Sequence, residues 1–315
     1  MISPDQILIV FNPAAQSGRL AKLELDIRAE SKKILGRTGF VSTNKKGHAR
    51  EIARTLAPSI KQIIAVGGDG TVHEIAAGLA EANAEAGLAV IPLGSGNDFC
   101  RALHMSTDWR RAFEQLKSAR IIQSDIGTYS WMENGESHSD YFINAFGVGF
   151  DAYCAHFAPI YKSWPLGIGY TVSILVALRS WISSGATVWD LSDEKKPIFS
   201  GKMMFTAIGN AQDSAGGYKV NPKALITDGL VDPCIVEDLS FFKALSLLPS
   251  ARDGKHLKRK EVHYHQVRKL LIETDRGIPI HADGEVKSME ARSISVEVLP
   301  GKINVFVPKD APERL

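Results

Sequence analysis

Residues 61–79 read KQIIAVGGDGTVHEIAAGL, and the fold follows from this stretch. Ile63, Ile64, Ala65 and Val66 form a short apolar, β-leaning run that stops at Gly67-Gly68-Asp69-Gly70-Thr71. Beyond it, Val72, Ile75, Ala76 and Leu79 recur at helical spacing. The pattern predicts a buried strand, a glycine turn and a helix start. Three glycines let the backbone approach a bulky anion, and N–H groups at a helix N-terminus point at whatever sits there. Asp69 is placed either to hold Mg²⁺ through water, since that ion takes few carboxylates, or simply to cap the helix. Thr71 can cap the helix or bond a phosphate.

The flanking segments repeat the pattern. QILIVF (6–11) predicts a first buried strand ended by Asn12-Pro13, with Ser17, Gly18 and Arg19 at a loop-to-helix junction. Ligands of α/β sheets bind at such carboxyl ends of strands. Arg19 there serves either as a phosphate partner or as a solvated first-turn cation. FVST (40–43) predicts a second strand, and Gly47-His48-Ala49 opens a helix through Leu56. LAVIPL (88–93) predicts another buried strand, turned by Gly94-Ser95-Gly96-Asn97-Asp98. Ser95 and Asn97 offer a hydroxyl and an amide to a ligand, and Asp98 is expected as the N-cap of a helix starting near Phe99. Two glycine turns on neighbouring strand ends point to a nucleotide crevice. Residues 108–117 continue as an amphipathic helix.

From Ile121 the texture changes to short β-rich runs separated by polar turns, which predicts a mainly antiparallel domain. The expected division is 1–124 and 125–315, with the last residues packing back on the first domain. Residues 161–180 predict one helix with Ile168, Val172, Leu175 and Val176 on an apolar face, which suits a core more than an acyl-chain groove. Strands are expected at 186–191, 201–208, 269–274, 280–285, 293–299 and 303–307, with Asp283-Gly284-Glu285 also read as a β-turn between two strands. ALITDGLVD (224–232) offers the Asp228 carboxylate and the Leu225 and Leu230 carbonyls; it reads as an Asp-Gly hairpin or as a hard-cation site. Residues 252–269 hold seven Lys/Arg, two acids and three His, read either as a solvated face or as a binder of anionic headgroups.

Composition sets bounds. The 315 residues suit two domains, and 44% hydrophobic with 23% charged residues is ordinary for a globular chain. A net charge of +2 gives no footprint for nucleic acid. Cys100, Cys154 and Cys234 are scattered, with neither disulfide-framework nor zinc spacing. The N-terminus lacks a secretory pattern and no apolar run spans a bilayer, so a cytoplasmic protein with only peripheral membrane contact is expected.

VGGDGTVHE, with NPAAQSGR before it, PLGSGNDFCRAL after it and HADGE (281–285) near the C-terminus, resembles the diacylglycerol-kinase-like lipid kinases of bacteria. That superfamily includes sphingosine and ceramide kinases, and the resemblance runs from about residue 7 to about residue 308. It implies a three-layer, Rossmann-like α/β nucleotide-binding domain, similar to NAD kinases, followed by a β-sandwich. It implies ATP and Mg²⁺ as cofactors and a lipid hydroxyl, reached at the membrane surface, as acceptor. Nucleotide contacts are implied at Asn12, Arg19, Thr43, Gly67, Gly68, Asp69, Gly70, Thr71, Val72, His73, Gly94, Ser95 and Asn97. His73 stands where the family often has Asn. Asp228, Leu225 and Leu230 match its metal turn, where Ca²⁺ is an alternative ion. Asp283 and Glu285 flank a glycine at the cleft, one of them the implied proton acceptor with Glu285 preferred. Asn144 and Asp151 fall in a matching stretch, with turn formation and capping as their simpler roles. A kinase of a soluble acceptor and a non-catalytic nucleotide-binding regulator are the alternatives; the PLGSGNDF turn and the late acids argue against them.

Overall fold

The computed structural model describes residues 6–157 and 168–315. The first half alternates strand and helix: β1 (Ile7–Phe11), a 3-10 segment (Ala15–Leu23), α1 (Glu24–Leu35), β2 (Gly39–Ser42), α2 (His48–Leu56), β3 (Gln62–Gly67), α3 (Asp69–Ala82), β4 (Gly87–Pro92), α4 (Asp98–Ala102) and α5 (Trp109–Leu116). The second half is strand-rich: β5 (Arg120–Glu133), β6 (Glu136–Phe142), β7 (Ala145–Gly149), α6 (Phe150–Phe157), α7 (Ile168–Ser180), β8 (Ser184–Asp190) and β9 (Lys196–Gly209). It continues with β10 (Asp232–Glu237), α8 (Phe241–Ala251), β11 (Val262–Tyr264), β12 (Lys269–Thr274), β13 (Ile278–Ala282), β14 (Glu285–Ala291) and β15 (Ile294–Val307).

β2, β1, β3 and β4 lie side by side and parallel, so every turn that leaves a strand end opens on the same edge. β1, β3 and β4 are buried along their whole length, which is why they read as unbroken apolar runs. Helix α3 buries Val72, Ile75, Ala76 and Leu79. Burying each larger side chain contributes about 1.5–3 kcal/mol. Gly78 lets α3 approach α2: a Cβ there would meet the Arg50 carbonyl at 2.5 Å and the Ala53 Cβ at 2.8 Å.

The closing segment departs from the sequence reading. Residues 293–299 and 303–307, expected as two strands, form the single strand β15. Its first part pairs antiparallel with β12 and β5, and its last residues pair with β5 and parallel to β4. Pro300-Gly301 makes an irregularity rather than a break, because β5 pairs on both sides of it. There the Gly301 amide donates to Asp125 Oδ1 at 2.7 Å. The β5–β15 ribbon thus runs through both halves, and position 124/125 lies within β5.

The second half has its own core around Tyr129, Phe142, Phe146, Ile208, Ile272 and Ile280. A smaller cluster, including Phe150, Ile174, Met204 and Ala244, binds α6, α7 and α8 together. Of the helix expected over 161–180, residues 161–167 lie outside the described residues; α7 accounts for the rest. Helix α8 has no counterpart in the sequence reading.

Candidate active site

The turns after β3 and β4 interlock. The Leu93 amide donates to the Gly67 carbonyl at 2.7 Å. Gly68 and Gly94 then lie so close that a Cβ on Gly94 would stand 2.6 Å from the Gly68 Cα. A side chain at Gly94 would force the two strand ends apart, and one at Gly68 would press on the Gly94 Cα at 3.1 Å. Asp69 completes the joint: Oδ2 accepts from the Asn97 amide at 2.7 Å and Oδ1 from the Asp98 amide at 2.8 Å. Burial raises the Asp69 pKa against the lowering effect of those two amides, and the nearby Asp283 charge adds to the rise.

Asn97 adopts a left-handed conformation, φ 55°, and spends its side chain inside the turn. Its Oδ1 accepts from the Gly94 amide at 2.8 Å and its Nδ2 donates to the Gly94 carbonyl at 3.1 Å. Ser95 is exposed at the lip. The amides of Gly68, Gly70, Ser95 and Gly96 meet no protein acceptor among the described residues. Free donors at two adjoining helix starts are what a phosphate group requires.

Asp98 is not the N-cap expected of it. Asn97 takes that position, and the buried Asp98 carboxylate accepts from the Gly216 and Gly217 amides at 3.0–3.1 Å and from Arg101 Nη1 at 3.0 Å. It ties the second glycine turn to the long loop between β9 and β10.

On the other side, Asn12 Nδ2 donates to Thr71 Oγ1 at 3.0 Å, and the Thr43 amide donates to the Phe11 carbonyl at 2.8 Å. Asn12, Thr43 and Thr71 therefore sit together across the ends of β1, β2 and β3. Arg19 is exposed on the 3-10 segment with no acidic partner among the described residues. Val72 and His73 do not offer side chains to a ligand. Val72 is packed in the core, and the His73 ring is buried with Nδ1 turned to Asp283.

Glu74 went unread in the sequence, although it shapes the same edge. Its carboxylate accepts from the Gly47 amide at 2.7 Å and the Ala49 amide at 3.1 Å, capping α2 from α3. The available signal was the lack of a capping side chain at Gly47 itself.

The turn joining β13 to β14 delivers two acids with different surroundings. Asp283, φ 47°, is buried. Its Oδ1 accepts from the Asn144 and Ala145 amides, both at 2.9 Å, and its Oδ2 from the Ile143 amide at 2.9 Å and faces His73 Nδ1 at 2.7 Å. Burial would raise its pKa, but the His73 bond and charge together with the backbone amides outweigh burial and lower it. Four partners leave it little capacity to take a substrate proton. Glu285 is partly open. A Cβ built on Gly70 would lie 3.7 Å from Glu285 Oε1, so this carboxylate hangs over the first turn of α3. Lys46 Nζ at 3.1 Å and Lys287 Nζ at 3.6 Å flank it, and Lys287 is held in turn by Asp140, which also binds Arg50 of α2.

Asn144 and Asp151 have positioning contacts: Asn144 Nδ2 donates to the Asp213 carbonyl at 2.6 Å, and Asp151 Oδ2 lies 3.3 Å from His281 Nε2. The ALITDGLVD stretch is an irregular turn outside any strand pair rather than a hairpin, apart from its last two residues. Asp228 Oδ1 accepts from the Leu230 amide at 3.0 Å, and Asp125 Oδ2 holds the Gly229 amide at 2.7 Å. The Leu225 and Leu230 carbonyls accept no hydrogen bond among the described residues. Two open carbonyls beside a carboxylate are oxygen donors of the kind a hard divalent cation takes. Among the described residues no cluster of three or more His, Cys, Asp or Glu could hold a metal. Of the three basic-segment histidines, His256 is buried against the Val220 carbonyl at 3.0 Å.

The sequence profile of the diacylglycerol kinase catalytic domain matches residues 6–129, and that of the YegS C-terminal NAD kinase beta sandwich-like domain matches residues 144–307. The diacylglycerol kinase of Staphylococcus saprophyticus is 27% identical over 311 residues, covering 96% of this chain and 95% of its own. That of Staphylococcus aureus strain MRSA252 is 26% identical over 305 residues, covering 96% and 92%. A solved structure of a diacylglycerol kinase from Bacillus anthracis superposes with a TM-score of 0.70 over 97% of both chains at 18% identity, a likeness of fold.

Proposed function

Because the chain belongs to the diacylglycerol-kinase-like lipid kinase family, we propose that it transfers the γ-phosphate of ATP to the hydroxyl of diacylglycerol or a related lipid alcohol. The observation that carries this reading is Glu285, a carboxylate from the second half standing over Gly70 in the nucleotide turn of the first. Phosphoryl transfer is mostly positioning and electrostatics. The free amides of Gly68, Gly70, Ser95 and Gly96 hold phosphate oxygens, and Asn12, Thr43 and Arg19 border the same edge. Glu285 accepts the proton of the acceptor hydroxyl as its oxygen bonds to the γ-phosphorus and the bond to the β-phosphate breaks. Asp283 positions the turn that carries Glu285.

Mg²⁺ suits Asp69, whose oxygens keep further lone pairs beyond the two amide bonds, and when bound it neutralises phosphate charge. Asp228 with the Leu225 and Leu230 carbonyls would hold a second hard cation, Mg²⁺ or Ca²⁺, in a structural role. Among the described residues no helix is long and apolar enough to cross a membrane. In this reading the enzyme meets its lipid peripherally, at the membrane surface.

Labelled ATP offered with a panel of lipid alcohols in mixed micelles, alongside soluble hydroxyl acceptors, tests the reading. Label is expected in a lipid, and that label should be lost in Glu285→Gln. Transfer to a soluble acceptor alone, or to none, would overturn it.

A further inference from the structure

We infer that α8 and the loop after α7 form a docking face for an anionic bilayer, an inference that rests on the lipid-kinase reading only for its purpose. Helix α8 is apolar on both sides. Ala244 and Leu247 pack inward, while Phe241, Phe242 and Leu245 face solvent, Phe242 being 80% exposed. Ile182, 68% exposed, follows Trp181, which packs in the same cluster as Ala244 of α8. Ser183 Oγ donates to Asp238 Oδ1 at 2.6 Å, which fixes the loop carrying Ile182 against the segment leading into α8. Leu175 and Val176 on α7, which packs against α8, extend the exposed apolar surface. A contiguous patch of large apolar side chains on a globular surface marks a site of contact.

Its charge identifies the occupant. Residues 241–260 carry Lys243, Arg252, Lys255, Lys258, Arg259 and Lys260 against the single acid Asp253, in a chain whose net charge is only +2. Lys243 and Arg259 lean on Glu261, and Lys255 on Asp253. Arg252, Lys258 and Lys260 are exposed and have no acidic partner among the described residues. Protruding aromatics beside unpaired cations suit the headgroup boundary of an anionic membrane, where apolar insertion and charge attraction add. A second copy seated symmetrically would oppose the same positive charge on both sides. The lobe is also joined to the acceptor side of the site, since α6 packs within it and its Asp151 meets His281, on the strand that leads into the Asp283 turn.

The test is cosedimentation without nucleotide, using vesicles of phosphatidylcholine alone and of phosphatidylcholine with phosphatidylglycerol. The protein is expected to pellet with the anionic vesicles. Phe242→Ser with Ile182→Ser should weaken that binding about tenfold or more. Lys258→Glu with Lys260→Glu should weaken it by about fivefold per charge and flatten its salt dependence. All four positions are exposed, so unchanged melting temperatures are expected, as is unchanged phosphorylation of a short-chain lipid alcohol below its micelle concentration. Vesicle binding lost in the variants would sustain the docking face even if no kinase activity were found. Variants that pellet like the parent would overturn it. Self-association in sedimentation velocity that the serine variants abolish, with no vesicle binding by the parent, would make the face a contact between copies and overturn it equally.

Discussion

His73 Nδ1 lies 2.7 Å from Asp283 Oδ2, joining positions 210 residues apart and linking α3 directly to the turn that carries Glu285. The bond is buried, so its loss leaves a carboxylate short of a partner. His73→Ala is expected to cost about 1–3 kcal/mol of stability. Asn at 73 keeps a donor and should restore part of that. The Asp283 pKa is lowered in the fold, so its contribution is present above the ordinary carboxylate value and is lost as pH falls through the lowered one. Urea denaturation of parent and variants across acid pH should therefore show a weaker acid dependence in His73→Ala.

Glu285→Gln should reduce turnover by roughly 10²–10⁴, the usual range for a general base, with ATP affinity nearly unchanged. Asp283→Asn should instead lower stability first, because the amide cannot accept from three backbone N–H groups and face His73 as the carboxylate does. Single-turnover kinetics at saturating lipid, read beside melting temperatures, separate the two. Full rate in Glu285→Gln would place the proton acceptor elsewhere.

In the proposed mechanism Asp69 meets the metal in its ionised form, and burial has raised its pKa. Activity should therefore decline on acidification at a pH above the ordinary carboxylate value of 3.8. Asp69→Asn should weaken Mg²⁺ activation by about 10–100-fold. A Mg²⁺ titration of initial rates that superimposes on the parent's would remove Asp69 from the metal.

Asp228→Ala should blunt the rise of melting temperature with added Mg²⁺ or Ca²⁺, since a cation bound only in the fold stabilises it in proportion to its concentration. Calorimetry of the two proteins in chelator and in metal makes the comparison. An identical metal response would leave Asp228 as a turn former bonded to the Leu230 amide.

Asp232 supplies a separate pH test. Burial pushes its pKa up to about 6, more than the hydrogen bonds from Tyr264 and Gln266 draw it down. The folded state therefore holds a proton that the unfolded state has released. Between 3.8 and about 6 this group makes stability fall as pH rises, by up to about 1.4 kcal/mol per pH unit, and above that it adds no further slope. Asp232→Asn should remove the slope. Equilibrium unfolding of both proteins through that interval measures it.

Much of the fold was legible because short-range physics sets it. An apolar β-leaning run, a glycine turn and a helical period specify β3 and α3 wherever the chain goes next, and the same holds around β1 and β4. The two glycine turns were legible for the same reason: Gly68 and Gly94 have no side chain, which lets their backbones approach, and that is a property of the residue. What each polar group does was decided by the tertiary structure. Asp283 and Glu285 are separated by one glycine and are equivalent on paper. Only the approach of α3 and of the 143–145 amides buries one and leaves the other over Gly70. Asp98 looks like a cap until Gly216 and Gly217 arrive from the other half. β15 looked broken at Pro300-Gly301 because local propensity cannot register that β5 pairs with both of its parts. Hydrogen bonds between residues more than a hundred positions apart leave no periodicity in the chain, so their partners are set only when the two halves pack.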